Sequence, residues 1–153
     1  IMPLAAMVTR DAYNIATDVS LGHYTHEKSP LGSVAAVAMI EFIEKEGILA
    51  KVNADALFMK DELETLKQKH ALIGDIRGIG LLWGIELVKN RQTKEKAMQE
   101  AEMVLYECLF NGLSFKVSQG NVLQLSPPLT ITRQQLKAAI DIADAAIAKA
   151  IGK

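Results

Sequence analysis

The spacing of apolar side chains divides this chain into helical and extended stretches. Apolar residues recur at helical intervals from Pro30 to Gly47, where a glycine ends the pattern. They recur again over 49–69, 94–111 and 133–151. Alternation of apolar and polar residues predicts two strands within 71–88 and one strand each over 113–117 and 121–125. A capping-box spacing, Thr132-x-x-Gln135, predicts the start of the last helix.

This pattern predicts the order α-α-β-β-α-β-β-α from Pro30 onward. Short, closely joined strands favour an antiparallel sheet, and the amphipathic helices favour packing on one of its faces. The fold class we predict is therefore α+β. Residues 1–28 contain a predicted strand over 2–8 and then a polar loop. One strand and a loop do not form a packed layer of secondary structure by themselves. We expect 1–28 to be the trailing segment of a large domain and 29–153 to form a C-terminal small domain.

Composition restricts the classes of function. Half of the 153 residues are apolar, 23% are charged and the formal net charge is −1. This balance indicates a globular chain without a basic surface, so we expect neither a nucleic-acid partner nor a membrane. Cys108 is the single cysteine and cannot form an internal disulfide, which favours a reducing, cytoplasmic setting.

One polar loop, residues 22–30, is the richest candidate for a binding site. It ends where a helix begins, so free backbone N–H groups and the helix dipole favour an anion there. Thr25 and Ser29 add hydroxyl donors, which suits a phosphate. The alternative is an ordinary loop that enters a helix. His23 and His26 have no third ligand nearby, and we predict no metal site.

Four segments, in one order along the chain, resemble class III aminotransferases. Residues 25–30 (THEKSP) are similar to the family segment T-x-G-G-N-P. Residues 76–87 (IRGIGLLWGIEL) resemble R-G-x-G-L-x-x-G-I-E-L, and residues 122–129 (VLQLSPPL) resemble R-F-x-P-P-L. Residues 2–6 (MPLAA) resemble the P-L-G-A strand that follows the family's cofactor lysine.

The resemblance implies the C-terminal part of a fold-type I enzyme that uses pyridoxal 5'-phosphate (PLP). In the family, the threonine of T-x-G-G-N-P binds the PLP phosphate of the neighbouring subunit. The resemblance therefore implies a cofactor role for Thr25 and a homodimeric parent. It also implies that Tyr24 offers its backbone N–H to the cofactor, because its side chain is too large to replace the family's small hydroxyl.

Gln124 stands where several family members have an arginine that holds the substrate carboxylate. A neutral amide donates hydrogen bonds but does not neutralise a carboxylate. The substrate is then anchored elsewhere or lacks a carboxylate at that point. The alternative is that Gln124 is a plain strand residue facing solvent.

The resemblance places the cofactor lysine upstream of Ile1, so the chain itself contains no predicted catalytic residue and should be inactive. For the parent we predict transfer of an amino group between a small-molecule amine or amino acid and a keto acid. Lyase and epimerase chemistry of the same family remains an alternative. A second alternative is a non-enzymatic, ferredoxin-like regulatory or dimerisation module formed by residues 71–151.

Overall fold

A computed structural model describes residues 4–16, 18–19, 22 and 29–152. The chain divides into two compact units, residues 1–47 and 48–153. After a short 3-10 helix, Asp11–Tyr13, the elements follow in the order α-α-β-β-α-β-β-α: α1 Pro30–Lys45, α2 Ile48–Lys69, β1 Ile73–Ile79, β2 Leu82–Leu87, α3 Met98–Phe110, β3 Lys116–Ser118, β4 Val122–Leu125 and α4 Arg133–Ile151. The predicted order is confirmed. The predicted large-domain and small-domain segments (1–28 and 29–153) concern a longer polypeptide and stay a prediction.

The first unit contains one long helix, α1. Ser29 lies at its N-cap position in an extended conformation and Pro30 opens its first turn, as the sequence predicts. The Ser29 side chain makes no capping hydrogen bond. Residues 4–8 form no strand, which corrects the described part of the predicted strand over 2–8.

The second unit is built on one antiparallel sheet with strand order β1-β2-β4-β3. Residues of one face of the sheet are buried, among them Trp83, Ile85, Leu87 and Leu123. Helices α2 and α3 contact the sheet, and α4 packs against both of these helices. The α+β class and the antiparallel sheet are therefore confirmed.

The buried face and the helices share one hydrophobic core. Met59 and Leu63 of α2, Val104 of α3, and Ile140 and Ile147 of α4 belong to it, and each is at most 3% exposed. Cys108 also lies in this core, where burial raises the pKa of its thiol to about 11. A protonated, enclosed thiol is a structural side chain, in agreement with its position on the apolar stripe of α3.

The local sequence predicts the start of α4 correctly and the start of α3 wrongly. Thr132 accepts a hydrogen bond from the Gln135 backbone N–H, and the Gln135 side chain accepts one from the Thr132 backbone N–H, so the predicted capping box is present. Helix α3 was predicted from Lys94 but begins at Met98. Asn90 Oδ1 accepts hydrogen bonds from the backbone N–H groups of Gln92 and Thr93, and the Asn90 carbonyl accepts one from Lys94. Lys96 then lies in a bridge with Val88.

Candidate functional site

The predicted site residues lie in two parts of the chain, and the structure describes one of these parts. Tyr24 and Thr25 lie outside the described residues, as do His23 and His26. Their predicted roles stay predictions. Gln124 is described: it lies on β4 in the second unit and is half-buried.

Gln124 belongs to the sheet face that points away from the hydrophobic core, which we call the polar face. Strand pairing aligns Arg77 with Gly84, Gly84 with Gln124, and Gln124 with Lys116 in one row across all four strands. Side chains directly opposite each other on neighbouring strands point to the same side of a sheet. The polar face therefore carries this row, with Asp75, Glu86, Ser118 and Val122 beside it.

Gln124 has a fixed orientation. The Ser118 hydroxyl donates a hydrogen bond to Gln124 Oε1 at 2.9 Å. With its carbonyl oxygen engaged, the side-chain amide presents its two N–H donors. The predicted substrate role of Gln124, and the alternative of a plain strand residue facing solvent, both stay predictions.

Gly84 separates the two ends of the row. A methyl group added there would lie 3.2 Å from Val122 Cγ1, a tight contact, so Val122 leaves little room for a side chain at this position. The row therefore has a side chain at each end and no side chain in its second position.

Arg77 lies within β1 and is ion-paired. Its guanidinium donates to Glu86 Oε2 at 2.6 Å and to Asp75 Oδ2 at 3.0 Å. These two hydrogen bonds raise the pKa of Arg77 above its already high ordinary value. Its positive charge is compensated within the sheet, which makes Arg77 a structural residue of this face.

Lys116 is the residue of this row that sequence reasoning missed. It is exposed, and no described carboxylate lies within ion-pairing distance of it. The sequence does contain a pattern that indicates Lys116. Lys116 and Ser118 alternate with Val117, and a short turn joins this segment to the strand of Gln124. Pairing register, which the sequence alone did not give, places Lys116 opposite Gln124.

A cavity of about 340 Å³ lies at the end of β4 beside Pro127 and Pro128. Its lining is mainly apolar and includes Phe115, Ile131 and Gln124, but no charged side chain. Across the described ranges, no three His, Cys, Asp or Glu side chains group as metal ligands.

Comparison with known proteins identifies relatives over nearly the whole chain. The class III aminotransferase family model matches residues 2–147. The chain is 59% identical, over 97% of its length, to an (R)-1-hydroxy-2-aminoethylphosphonate ammonia-lyase of Vibrio splendidus, and covers 31% of that protein. It is 39% identical, over 96% of its length, to a leucine/methionine racemase of Thermococcus litoralis, and covers 33% of that protein.

A solved structure gives the same result for the fold. The PMP-bound form of an aminotransferase from Vibrio fluvialis matches with a TM-score of 0.81 and 25% identity, covering 90% of this chain and 31% of that one. The chain thus spans about a third of the length of the relatives it matches. The matches favour the family interpretation over a ferredoxin-like regulatory module. The chain belongs to the class III aminotransferase family.

Proposed function

We propose that the full-length protein carrying this chain is a PLP-dependent enzyme that acts on the amino group of a small molecule. Family membership and likeness to a PMP-bound structure support the cofactor, because PMP is the amino form of PLP. When bound, PLP serves as an electron sink for the carbon that bears the amino group. The cofactor lysine is expected in the preceding part of the polypeptide, so the 153-residue chain alone should be inactive.

The donor chemistry around the start of α1 fits the cofactor's phosphate. Thr25 supplies a hydroxyl shortly before the helix, and the first turn of a helix has backbone N–H groups without intrahelical partners. At the N-cap, Ser29 leaves these groups free of a side-chain acceptor. Thr25 and the backbone of Tyr24 are the residues that would bind this phosphate, from the neighbouring subunit of a homodimer.

Among the reactions of this family, we propose release of ammonia from an aminophosphonate. The observation that carries this choice is Gln124, a neutral amide at the family's carboxylate-binding position. A substrate that carries a phosphonate has no carboxylate for an arginine to hold. The 59% identical relative is named as a lyase for such a substrate.

The test is to supply the PLP-loaded full-length protein with (R)-1-hydroxy-2-aminoethylphosphonate and no keto acid. We expect stoichiometric free ammonia together with an oxo-phosphonate, the substrate's composition less one NH₃. A matched control replaces the substrate with 2-aminoethanol, which lacks the phosphonate and should release far less. If no ammonia forms without a keto acid, the lyase proposal is wrong.

Amino transfer is the second candidate, because it is the reaction for which the matching family is named. It predicts that product appears only when a keto acid such as pyruvate is added, and that the amino group is recovered on that acid. Mass spectrometry of a reaction with ¹⁵N-labelled amine distinguishes the two candidates: label in free ammonia supports the lyase, and label in alanine supports the transferase.

Thr25→Ala in the full-length protein tests the cofactor part of the proposal. Loss of one hydroxyl donor to a charged acceptor costs about 1.5–3 kcal/mol, which weakens PLP binding by roughly ten- to a hundred-fold. PLP titration of the wild type and the variant measures this change. Unchanged affinity would remove Thr25 from the cofactor site, and a large fall in the melting temperature of the apo form would instead make it a structural cap.

A further inference from the structure

The two cationic ends of the polar-face row differ in how their charge is compensated. Arg77, at one end, is hydrogen-bonded to two carboxylates, Glu86 and Asp75. Lys116, at the other end, has no carboxylate partner in the described part of the chain. The positive charge of this face is therefore concentrated at the β3–β4 side of the sheet.

Gln124 lies on that same side. It is directly opposite Lys116, and side chains so paired have Cβ atoms about 4.5–5.5 Å apart. Because Ser118 donates to the carbonyl oxygen of Gln124, the amide N–H groups remain as donors for a ligand. An ammonium group and an amide donor thus stand side by side, with no acidic side chain in the row.

We infer that Lys116 and the Gln124 amide form the subsite that binds the phosphonate group of the substrate. The inference rests on the proposed function and adds the residue that supplies the charge. A phosphonate is a tetrahedral anion with up to two negative charges and three acceptor oxygens. Lysine matches such a group as a point charge, and the amide contributes a directional hydrogen bond to a second oxygen.

The same arrangement suits a carboxylate less well. A carboxylate is planar, carries one charge and is matched by the two parallel N–H groups of an arginine fork. Gln124 lacks both that fork and its charge, and a lysine on the neighbouring strand does not restore the bidentate geometry. Replacement of a fork by an amide and an ammonium group therefore shifts selectivity from a planar to a tetrahedral anion.

The test uses the PLP-loaded full-length protein and (R)-1-hydroxyethylphosphonate, a substrate analogue without the amino group that cannot react with the cofactor. Isothermal titration should show binding weakened about 10- to 100-fold by Lys116→Met, as expected for a lost charge-assisted hydrogen bond. Lys116→Arg should retain affinity within about threefold, since it keeps the charge. The matched control is Lys60→Met, which removes the same charge from an exposed position on α2 and should change nothing.

A second titration identifies which tetrahedral anion Lys116 serves. PLP affinity of apo Lys116→Met should equal that of the wild type. Loss of PLP affinity with phosphonate affinity retained would assign Lys116 to the cofactor's phosphate and overturn the inference.

The inference and the proposed function fail separately. If the wild type releases ammonia and Lys116→Met binds the analogue as tightly as the wild type, the subsite is wrong while the function stands. If the wild type binds the analogue through Lys116 but releases no ammonia, the subsite stands and the lyase function is wrong.

Discussion

The two faces of the sheet in this chain differ in burial and in the chemistry of their side chains. On the core face, Ile85 and Leu123 are fully enclosed and belong to one hydrophobic core with apolar side chains from three helices. On the polar face, Gln124 and Glu86 are half-buried, and they are hydrogen-bonded to Ser118 and Arg77 respectively. On the core face, packing against the helices restricts which side chains each position can hold. The second face is free to vary its chemistry, because a substitution there leaves the core intact.

Two adjacent residues of β4 should show the largest difference in stability between the two faces. Leu123→Ala removes an enclosed side chain and leaves a cavity, which should lower the free energy of unfolding by about 2–5 kcal/mol. Gln124→Ala, one residue away on the other face, should cost less than about 1 kcal/mol. Urea unfolding of the 153-residue chain, followed by the fluorescence of its single tryptophan, Trp83, measures both. Similar losses for the two variants would refute the contrast.

Two strand glycines, one on each face, allow the same comparison with a single type of substitution, glycine to alanine. A methyl group at Gly78 would lie 2.4 Å from Trp83 Cδ2 and 2.5 Å from the Leu82 carbonyl oxygen, so Gly78→Ala should cost about 1–3 kcal/mol. At Gly84, on the polar face, the nearest atom is Val122 Cγ1 at 3.2 Å, and Gly84→Ala should cost less than about 1 kcal/mol. Circular dichroism is the suitable probe, since Gly78→Ala perturbs the tryptophan itself. Equal costs would show that the two glycines are not distinguished by packing.

The ion pairs of buried Asp55 and the ion pair on the polar face should also differ in their contribution to stability. Asp55 of α2, whose side chain is 6% exposed, accepts hydrogen bonds from Lys51 at 2.6 Å and from Arg133 of α4 at 3.1 Å. Asp55→Ala should therefore cost about 1–3 kcal/mol, because it leaves two cations without their partner. Glu86→Ala breaks an ion pair in which Arg77 is 53% exposed, and should cost only up to about 1 kcal/mol. Thermal unfolding at neutral pH measures both, and the reverse order would contradict this assignment.

The Asp55 cluster also predicts a direction for pH dependence. Burial alone would raise the pKa of the Asp55 carboxyl, but Lys51 and Arg133 outweigh burial and hold the pKa below its ordinary value. A carboxyl with a lowered folded pKa contributes stability above its unfolded pKa of about 3.9, and that contribution is lost as pH falls through the folded value. Melting temperatures from pH 7 to pH 3 should fall less steeply for Asp55→Ala than for the wild type. Parallel curves would exclude Asp55 as a source of acid sensitivity.

Sequence patterns were informative wherever an interaction is local. The capping box of Thr132 and Gln135 spans three residues and was predicted correctly. Helical spacing predicts one apolar stripe on α3 and one on α4, and most of these positions are buried. Leu105 is half-buried, however, and Leu109 and Ile151, at the C-terminal ends of the two stripes, are exposed. Residues 94–97 were predicted as helix, whereas the bridge between Val88 and Lys96 is a contact that the local pattern does not encode.

Interactions between distant segments were not predictable from the sequence. Arg91 donates hydrogen bonds to the carbonyl groups of Lys67, His70 and Ile73 and so holds the end of α2 against the start of β1. Nothing in the turn that contains Arg91 indicates these partners. Gln124 was identified as a site candidate from its position in a motif, but its neighbours Ser118 and Lys116 emerged only with the strand register.

Substrate preference of the full-length, PLP-loaded protein tests the central claim most directly. The measurement is kcat/KM for ammonia release, without a keto acid, from (R)-1-hydroxy-2-aminoethylphosphonate and from its carboxylate analogue, 3-amino-2-hydroxypropanoate. The polar face predicts a preference for the phosphonate of at least about tenfold, the equivalent of roughly 1.4 kcal/mol in transition-state stabilisation. Equal rates, or a preference for the carboxylate, would contradict a phosphonate site at Gln124.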